Sequence, residues 1–449
     1  MKLIFLPLYL LYRLSSWTRY WMLRRSTRAG LAILGAFFGA GLMGMDTENA
    51  VAYQAFTLVL ALLLVAFVPT AFFRARFFVR RLLPRFGTAG HPLVYRVTVR
   101  NLTRRKQTGL TLLENLADPR PSFAQWWALQ LDEQRHVRPF RLARQQRRTH
   151  PFRLVAVKES PLPPMAPQQE VEARIELTPL RRGVLRFVGF TLARPDPLGL
   201  FRAFLKMPAA QSVLILPKRY LIPPIALPGA LKYQQGGVAL AANVGQSEEF
   251  VALRDYRRGD PLRHIHWRSW AKSGKPIVKE FEDEFFVRHA LVLDTFTERP
   301  HTDEFEEAVS VAASFACTVL TQESLLDLLF VGPQAYCFTA GRGLAHVDQM
   351  LEILASVQPC PNRSFDTLEH LMLNRVGAVS GCICVLLAWD APRRKFVEKL
   401  KALGLPVSVY VVVPRGAGGR PDPGPMRDDP ERLQMLEVGR IEEQLARLA

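Results

Sequence analysis

The densest set of chemically capable side chains runs from Glu248 to Glu284, EEFVALRDYRRGDPLRHIHWRSWAKSGKPIVKEFEDE. Asp255 and Asp260 beside Arg254, Arg257, Arg258 and Arg263 have the makings of an anion-binding or acid/base site, and His264 with His266 invites a metal ion. Residues two apart on a helix point well away from each other, so these imidazoles do not converge on one ion. No nucleophile with a base and no phosphate-cradling glycine loop lies nearby. A carboxylate–guanidinium lattice that fixes one loop uses the same residues, and it is the reading these residues favour.

The elements that must position these groups are legible locally. Gly259-Asp260-Pro261 reads as a helix start, with Asp260 capping the free amides and Pro261 at the first helical position. The helix is expected to run to about Lys272 and to end at Ser273-Gly274, with Leu262, Ile265 and Ser269, or Ile265 and Trp270, toward a core. Ile277 to Glu282 reads as a strand, with Ile277, Lys279 and Phe281 on one face.

Glu249, Phe250, Leu253, Arg254, Tyr256, Gly259, Asp260, Arg263, Ile265, Trp267 and Ala271, followed by Val278, Lys279, Glu280, Phe281 and Glu282, form a spaced signature. It resembles that of the bacterial and archaeal family called domain of unknown function 58. Arg181-Arg182-Gly183 and the run Asp196 to Phe201, DPLGLF, also resemble what that family shows ahead of its signature. The resemblance implies a membrane-anchored protein with a von Willebrand factor A-like region, encoded beside MoxR-type AAA+ ATPases and transglutaminase-like proteins. It brings no enzymatic activity. A von Willebrand factor A domain commonly holds a divalent ion through Asp-x-Ser-x-Ser after its first strand, and the matching run here is Asp294-Thr295-Phe296-Thr297-Glu298. Phe296 and Glu298 replace the two hydroxyls, while Thr295 and Thr297 are out of register. Asp294, Glu298 and Asp390 then remain as the remnant of a metal site, too few ligands for a hard cation, and Asp294 is expected to be structural. No catalytic residue, cofactor or metal is assigned.

At 449 residues the chain is too long for one ordinary domain, and about two or three are expected. A formal net charge of +19 suggests an anionic partner. The five cysteines lack zinc-type spacing and read as reduced core thiols, with Cys382 and Cys384 on one strand and pointing to opposite faces.

Residues 1–28 are apolar and aromatic but interrupted by Arg13, Arg19, Arg24, Arg25 and Arg28, a basic amphipathic segment suited to a membrane surface. Two apolar runs follow within residues 29–86, at 29–45 and 51–73, and read as a transmembrane helical hairpin. Gly35, Gly39, Gly41 and Gly44 in the first are small enough for close helix approach. Arg24, Arg25 and Arg28 precede the hairpin, and Arg74, Arg76, Arg80, Arg81 and Arg85 follow it, whereas the connecting loop is acidic. Both termini and the globular domains are therefore expected in the cytoplasm, with these arginines on anionic headgroups of the inner membrane.

Residues 90–216 alternate in short runs divided by turn residues, the pattern of an antiparallel β-sandwich. Residues 217–247, rich in Pro and Gly, read as a linker. From 248 to 415 the signature precedes strands alternating with helices, an α/β domain with a parallel sheet; 416–449 reads as a flexible segment and a helix over Leu433 to Leu448. The whole is an α+β multidomain chain.

Three functions compete. The favoured one is a non-enzymatic membrane adaptor or assembly factor docking a cytoplasmic partner, for which the resemblance implies a MoxR-type AAA+ ATPase. A membrane-associated metal-dependent hydrolase would need an open pocket lined by Asp255, Asp260, His266 and Asp294. Nucleic-acid binding ranks last, because membrane headgroups absorb part of the charge and no nucleic-acid motif is present.

Overall fold

The computed structural model describes residues 5–43, 50–118, 120–124, 126–127, 155–223, 250–258, 260, 262, 265–281, 288–297, 302–321, 325–340, 344–417 and 422–448. The chain divides into two compact units, Met1–Lys218 and Arg219–Ala449.

Three helices open the first unit: α1 (Leu6–Arg25), α2 (Arg28–Met43) and α3 (Ala50–Ala71). Among the described residues only α3, over Tyr53–Ala71, is long and apolar enough to cross a membrane by length and composition. The apolar part of α2, Arg28–Leu42, falls short of the roughly 20 residues a crossing takes. The two helices meet where Phe37 stacks on Phe56, ring centroids 4.8 Å apart. Of the glycines expected to bring them together, only Gly41 faces α3, at the Phe56 ring; Gly35 and Gly39 face open space, and Gly44 lies outside the described residues.

Among the described residues the sandwich has nine strands: β1 (Phe77–Leu82), β2 (Phe86–Thr88), β3 (Leu93–Asn101), β4 (Thr111–Leu116), β5 (Val155–Val157), β6 (Ser160–Pro161), β7 (Glu170–Pro179), β8 (Gly183–Pro195) and β9 (Arg202–Leu216). They form two sheets, β1-β3-β7-β5 and β2-β9-β8-β4-β6. Alternation along β3 buries Leu93, Tyr95, Val97 and Val99 against Phe187, Phe190 and Leu192 of β8, which builds the core. The sandwich therefore begins at Phe77 rather than at residue 90.

Arg81 is corrected with that boundary. Read as a headgroup contact, it instead lies buried on β1 and pairs with Glu114 of β4, both side chains fully inaccessible. Its guanidinium sits 4.5 Å from the Phe187 ring and 4.2 Å from the Phe190 ring, and Tyr95 donates its hydroxyl to Glu114 Oε2 at 2.5 Å. Burial pushes the Glu114 carboxyl up, against the pull of Tyr95 and Arg81.

In the second unit, β10 (Phe250–Asp255) and β11 (Ile277–Phe281) form an antiparallel hairpin flanking α4 (Trp267–Ser273). A six-stranded sheet follows from β12 (Arg288–Leu293), β13 (Leu325–Val331), β14 (Ala335–Ala340), β15 (Gly381–Leu386), β16 (Val407–Val413) and β17 (Leu433–Glu437), in the order β14-β13-β12-β15-β16-β17. All its pairings are parallel except β13 with β14. Its helices are α5 (Asp303–Thr321), α6 (Leu344–Ser356), α7 (Asp366–Leu373), α8 (Ala391–Ala402) and α9 (Ile441–Leu445). Leu368 and Met372 of α7 and Phe396, Val397 and Leu400 of α8 pack with Val292, Cys382, Cys384 and Val409 in one core, while Phe315 of α5 meets Tyr410 at 4.6 Å.

Several expectations change here. Leu433–Glu437 is a strand extending the sheet beside β16, and only Ile441–Leu445 is helical; Gly439, at φ 90°, breaks the helix expected across both. The stretch expected to be flexible from 416 buries Met426 completely, and Trp389 Nε1 donates to Asp422 O at 2.9 Å. Tyr220, assigned to the linker, packs on α5, its N–H donating to Ser314 Oγ at 2.8 Å and its hydroxyl to Glu307. Residues 224–249 lie outside the described residues. Cys382 and Cys384, two apart on β15, share one face with Sγ atoms 3.6 Å apart, as the strand period requires.

Candidate functional site

The signature folds as a clamp. Asp260 accepts two bonds from Arg254, at 2.7 and 2.8 Å, and a third from the Arg257 N–H at 2.8 Å. The Arg254 pair and the Arg257 amide hold the Asp260 carboxyl down at about 2. Asp260 therefore fastens β10 to its following loop instead of capping a long helix. The helix begins later, at Trp267, because Ile265 leaves helical geometry to bridge Val278 of β11, and the His266 N–H donates to Ile277 O at 2.9 Å. Ile265 is buried as expected, whereas Leu262 is 67% exposed. Gly274 ends α4 in the left-handed region, its N–H on Trp270 O at 2.9 Å.

His266 Nδ1 lies 2.7 Å from Ser269 Oγ, a local contact at the N-terminal end of α4. Trp267 stacks on Trp270 at 5.2 Å and stays 65% exposed. Leu253, Tyr256, Ala271 and Lys279 lie on or beside the same hairpin and helix. Phe250, Glu280 and Phe281 contribute described backbone to the β10–β11 pairing. Glu249, Gly259, Arg263, His264, Glu282 and Glu298 lie outside the described residues.

The second constellation sits where ligands bind in sheets of this order. β12 and β15 are neighbours whose chains leave toward opposite sides of the sheet, and the crevice beyond their carboxyl ends is the topological switch point. Asp294 follows β12 directly, wholly buried, and Asp390 caps α8 after β15 by accepting from the Arg393 N–H at 3.3 Å. One side chain joins them. Arg393 Nε binds Asp294 Oδ2 at 2.6 Å, its first terminal nitrogen binds Asp390 Oδ2 at 2.6 Å, and its second reaches Phe296 O at 3.3 Å.

The remaining acceptors of Asp294 are also used: Oδ1 takes the Phe296 N–H at 2.9 Å and Oδ2 the Leu387 N–H at 3.0 Å. The Phe365 ring lies 5.1 Å from the guanidinium. Burial pulls the Arg393 pKa down, but Asp294 and Asp390 outweigh it and the net shift is upward. Thr295, out of register for a metal, donates instead to Val331 O at 2.5 Å.

A guanidinium thus stands where a cation would bridge the two carboxylates. Among the described residues no group of three His, Cys, Asp or Glu side chains is placed to hold a metal ion. Sequence reading found both acids and missed Arg393, which carried no mark beyond lying three residues after Asp390.

Residues 252–447 match the family described as "Protein of unknown function DUF58". A curated relative, the uncharacterized protein YeaD of Bacillus subtilis (strain 168), is 31% identical over 126 residues, covering 28% of this chain. The matched stretch spans 31% of that relative's own length. Among solved structures, the CARDB domain of a Pyrococcus furiosus protein aligns over 31% of this chain and 93% of its own, at 12% identity and a TM-score of 0.16. A cohesin module from a Clostridium perfringens glycoside hydrolase aligns over 32% of this chain and 98% of its own, at 8% identity and a TM-score of 0.15. Likeness at that level carries no argument about fold or function.

Proposed function

With residues 252–447 a DUF58 region, we propose that the chain is a membrane-anchored, non-enzymatic adaptor or assembly factor, with a von Willebrand factor A-like domain presented to a cytoplasmic protein partner. The observation that carries this reading is Arg393. In the sheet order β14-β13-β12-β15-β16-β17 the position open to ligands is filled by a side chain that pairs with both Asp294 and Asp390. The crevice is thereby converted into part of the scaffold. The clamp between Arg254 and Asp260 works in the same direction, and Trp267 stays outward near it, a side chain of the kind that anchors protein interfaces.

The membrane part of the proposal is the hairpin of α2 and α3, with both termini and both units cytoplasmic; the apolar span Tyr53–Ala71 supports one of its two crossings. The partner proposed is a MoxR-type AAA+ ATPase, on the strength of the family resemblance, with a transglutaminase-like membrane protein as a second neighbour. The hydrolase alternative draws no support from Asp260 and Asp294, whose oxygens are committed to Arg254 and Arg393.

Full-length chain captured from native membranes under mild detergent should retain the ATPase, and Trp267→Ala should lose it while leaving the protein folded. Recovery of intact protein with no ATPase would overturn the partner, and turnover of any ester or phosphoester that vanishes in Asp260→Asn would overturn the adaptor reading.

A further inference from the structure

The run DPLGLF at Asp196 to Phe201, set aside above as a family resemblance, forms a joint between the sandwich and the helices. Thr27, between α1 and α2, donates its N–H to Leu200 O at 3.0 Å and its hydroxyl to Gly199 O at 2.7 Å, and Ser26 bridges Phe201. A Cβ on Gly30 would sit 2.1 Å from Leu200 O, so α2 approaches the turn as closely as only glycine permits. From α3, Phe67 meets Phe201 edge-on at 6.4 Å. Asp196 holds the turn through Oδ1, which accepts from the Leu200 N–H at 2.7 Å and the Phe201 N–H at 3.2 Å.

Beside this joint opens a cavity of about 550 Å³ whose lining includes Phe73, Arg74, Arg105, Gln107, Arg194 and Asp196. Three arginines and one aspartate thus contribute to its lining. The Arg194 guanidinium lies over the Phe73 ring at 5.6 Å, and among the described residues Arg74, Arg105 and Arg194 make no ion pair. Two acceptors of lining residues, Asp196 Oδ2 and Gln107 Oε1, are buried without a donor. An arginine-rich hollow is matched by a ligand that brings negative oxygens.

The position of the cavity narrows the source. Arg74 stands three residues past Ala71, where the apolar span ends, and Phe72 and Phe73 fill the interval. If α3 crosses a bilayer, that is headgroup depth. We propose that this cavity binds the headgroup of one anionic phospholipid, its phosphate on Arg74, Arg105 and Arg194. The bound lipid tightens the joint between α3 and the sandwich turn. The inference rests on the membrane-anchored reading above.

The test is native mass spectrometry of the full-length protein in detergent with added phosphatidylglycerol, phosphatidylcholine or inorganic phosphate. Wild type should hold one phosphatidylglycerol in preference to phosphatidylcholine. Arg105→Gln/Arg194→Gln should weaken that binding about 30-fold. The Arg105→Lys/Arg194→Lys pair should keep most of it, and Arg96→Gln, on the exposed face of β3, should change nothing. Equal retention of the two lipids, or phosphatidylglycerol binding indifferent to the Gln pair, overturns the proposal. Inorganic phosphate bound through the same arginines without a lipid preference overturns it in favour of a phosphate from solution. Alkaline carbonate extraction of native membranes separates the two readings: a chain that stays in the membrane while its lipid arm fails loses only the cavity assignment, and a chain released by carbonate loses the anchor.

Discussion

Arg393 is the residue whose role is most sharply set by its neighbours. Removing it strands a wholly buried carboxylate, so Arg393→Gln should cost about 3–5 kcal/mol in denaturant unfolding of the purified chain. Because Asp294 is already saturated, millimolar Mg²⁺ or Mn²⁺ should move the wild-type Tm by less than about 1 °C; a rise of several degrees would falsify the guanidinium-for-cation reading. His289, on β12, contributes one share of the pH dependence. Its ring is 3% exposed, Nδ1 is buried with no partner, and burial depresses its pKa to about 4. An unfolded histidine takes up its proton near 6.5, so between there and about 4 the unfolded chain binds a proton that the native one refuses. Stability should therefore fall on acidification across that window, by up to about 3 kcal/mol, and His289→Leu should remove that share of the slope in denaturant melts at pH 7 and 4.5.

Some elements in this chain are joined by demanding polar contacts. Arg81 on β1 and Glu114 on β4 tie the two sheets of the sandwich across its core. Arg81→Met alone should destabilise the protein by about 3–5 kcal/mol, whereas Arg81→Met with Glu114→Leu should recover most of that loss, because the cost lies in the abandoned charge. Thermal unfolding of the two variants side by side checks this; equal destabilisation would mean the pair is worth more than its apolar replacement. Strands such as Leu93–Asn101 and Val407–Val413 were legible because alternation or an unbroken apolar run marks them directly. β1 was not, since FFVRRL abuts an apolar helix and its arginines imitate a headgroup cluster. The late start of α4 was hidden for another reason: Asp260 and Pro261 satisfy the local rules for a helix start, and only the pairing of Ile265 with β11 overrides them.

At the scale of the molecule, the proposed arrangement places both units on the cytoplasmic side of one helical hairpin. Protease added outside intact cells should leave both units whole and should digest them once the membrane is opened; cleavage in unopened cells would refute the topology. The two units are tied to their surroundings differently. Within the first, the sandwich is fastened to α1, α2 and α3 through Thr27, Gly30 and Phe201, and Tyr9 of α1 is buried against Trp126 with its hydroxyl on Pro121 O at 2.9 Å. The second carries the signature hairpin and the switch point.

Periodicity and composition alone determined the apolar segments, the sandwich and the parallel α/β region, because burial and strand or helix period leave their mark on neighbouring positions; the two acids Asp294 and Asp390 stood out only through the resemblance to a von Willebrand factor A motif. Only the tertiary structure decided what those acids face. Arg393 reaches Asp294 across 99 positions of sequence, Arg81 reaches Glu114 across 33, and Thr27 reaches Leu200 across 173. A charge that satisfies a distant partner looks, in its own stretch of chain, like any solvated arginine.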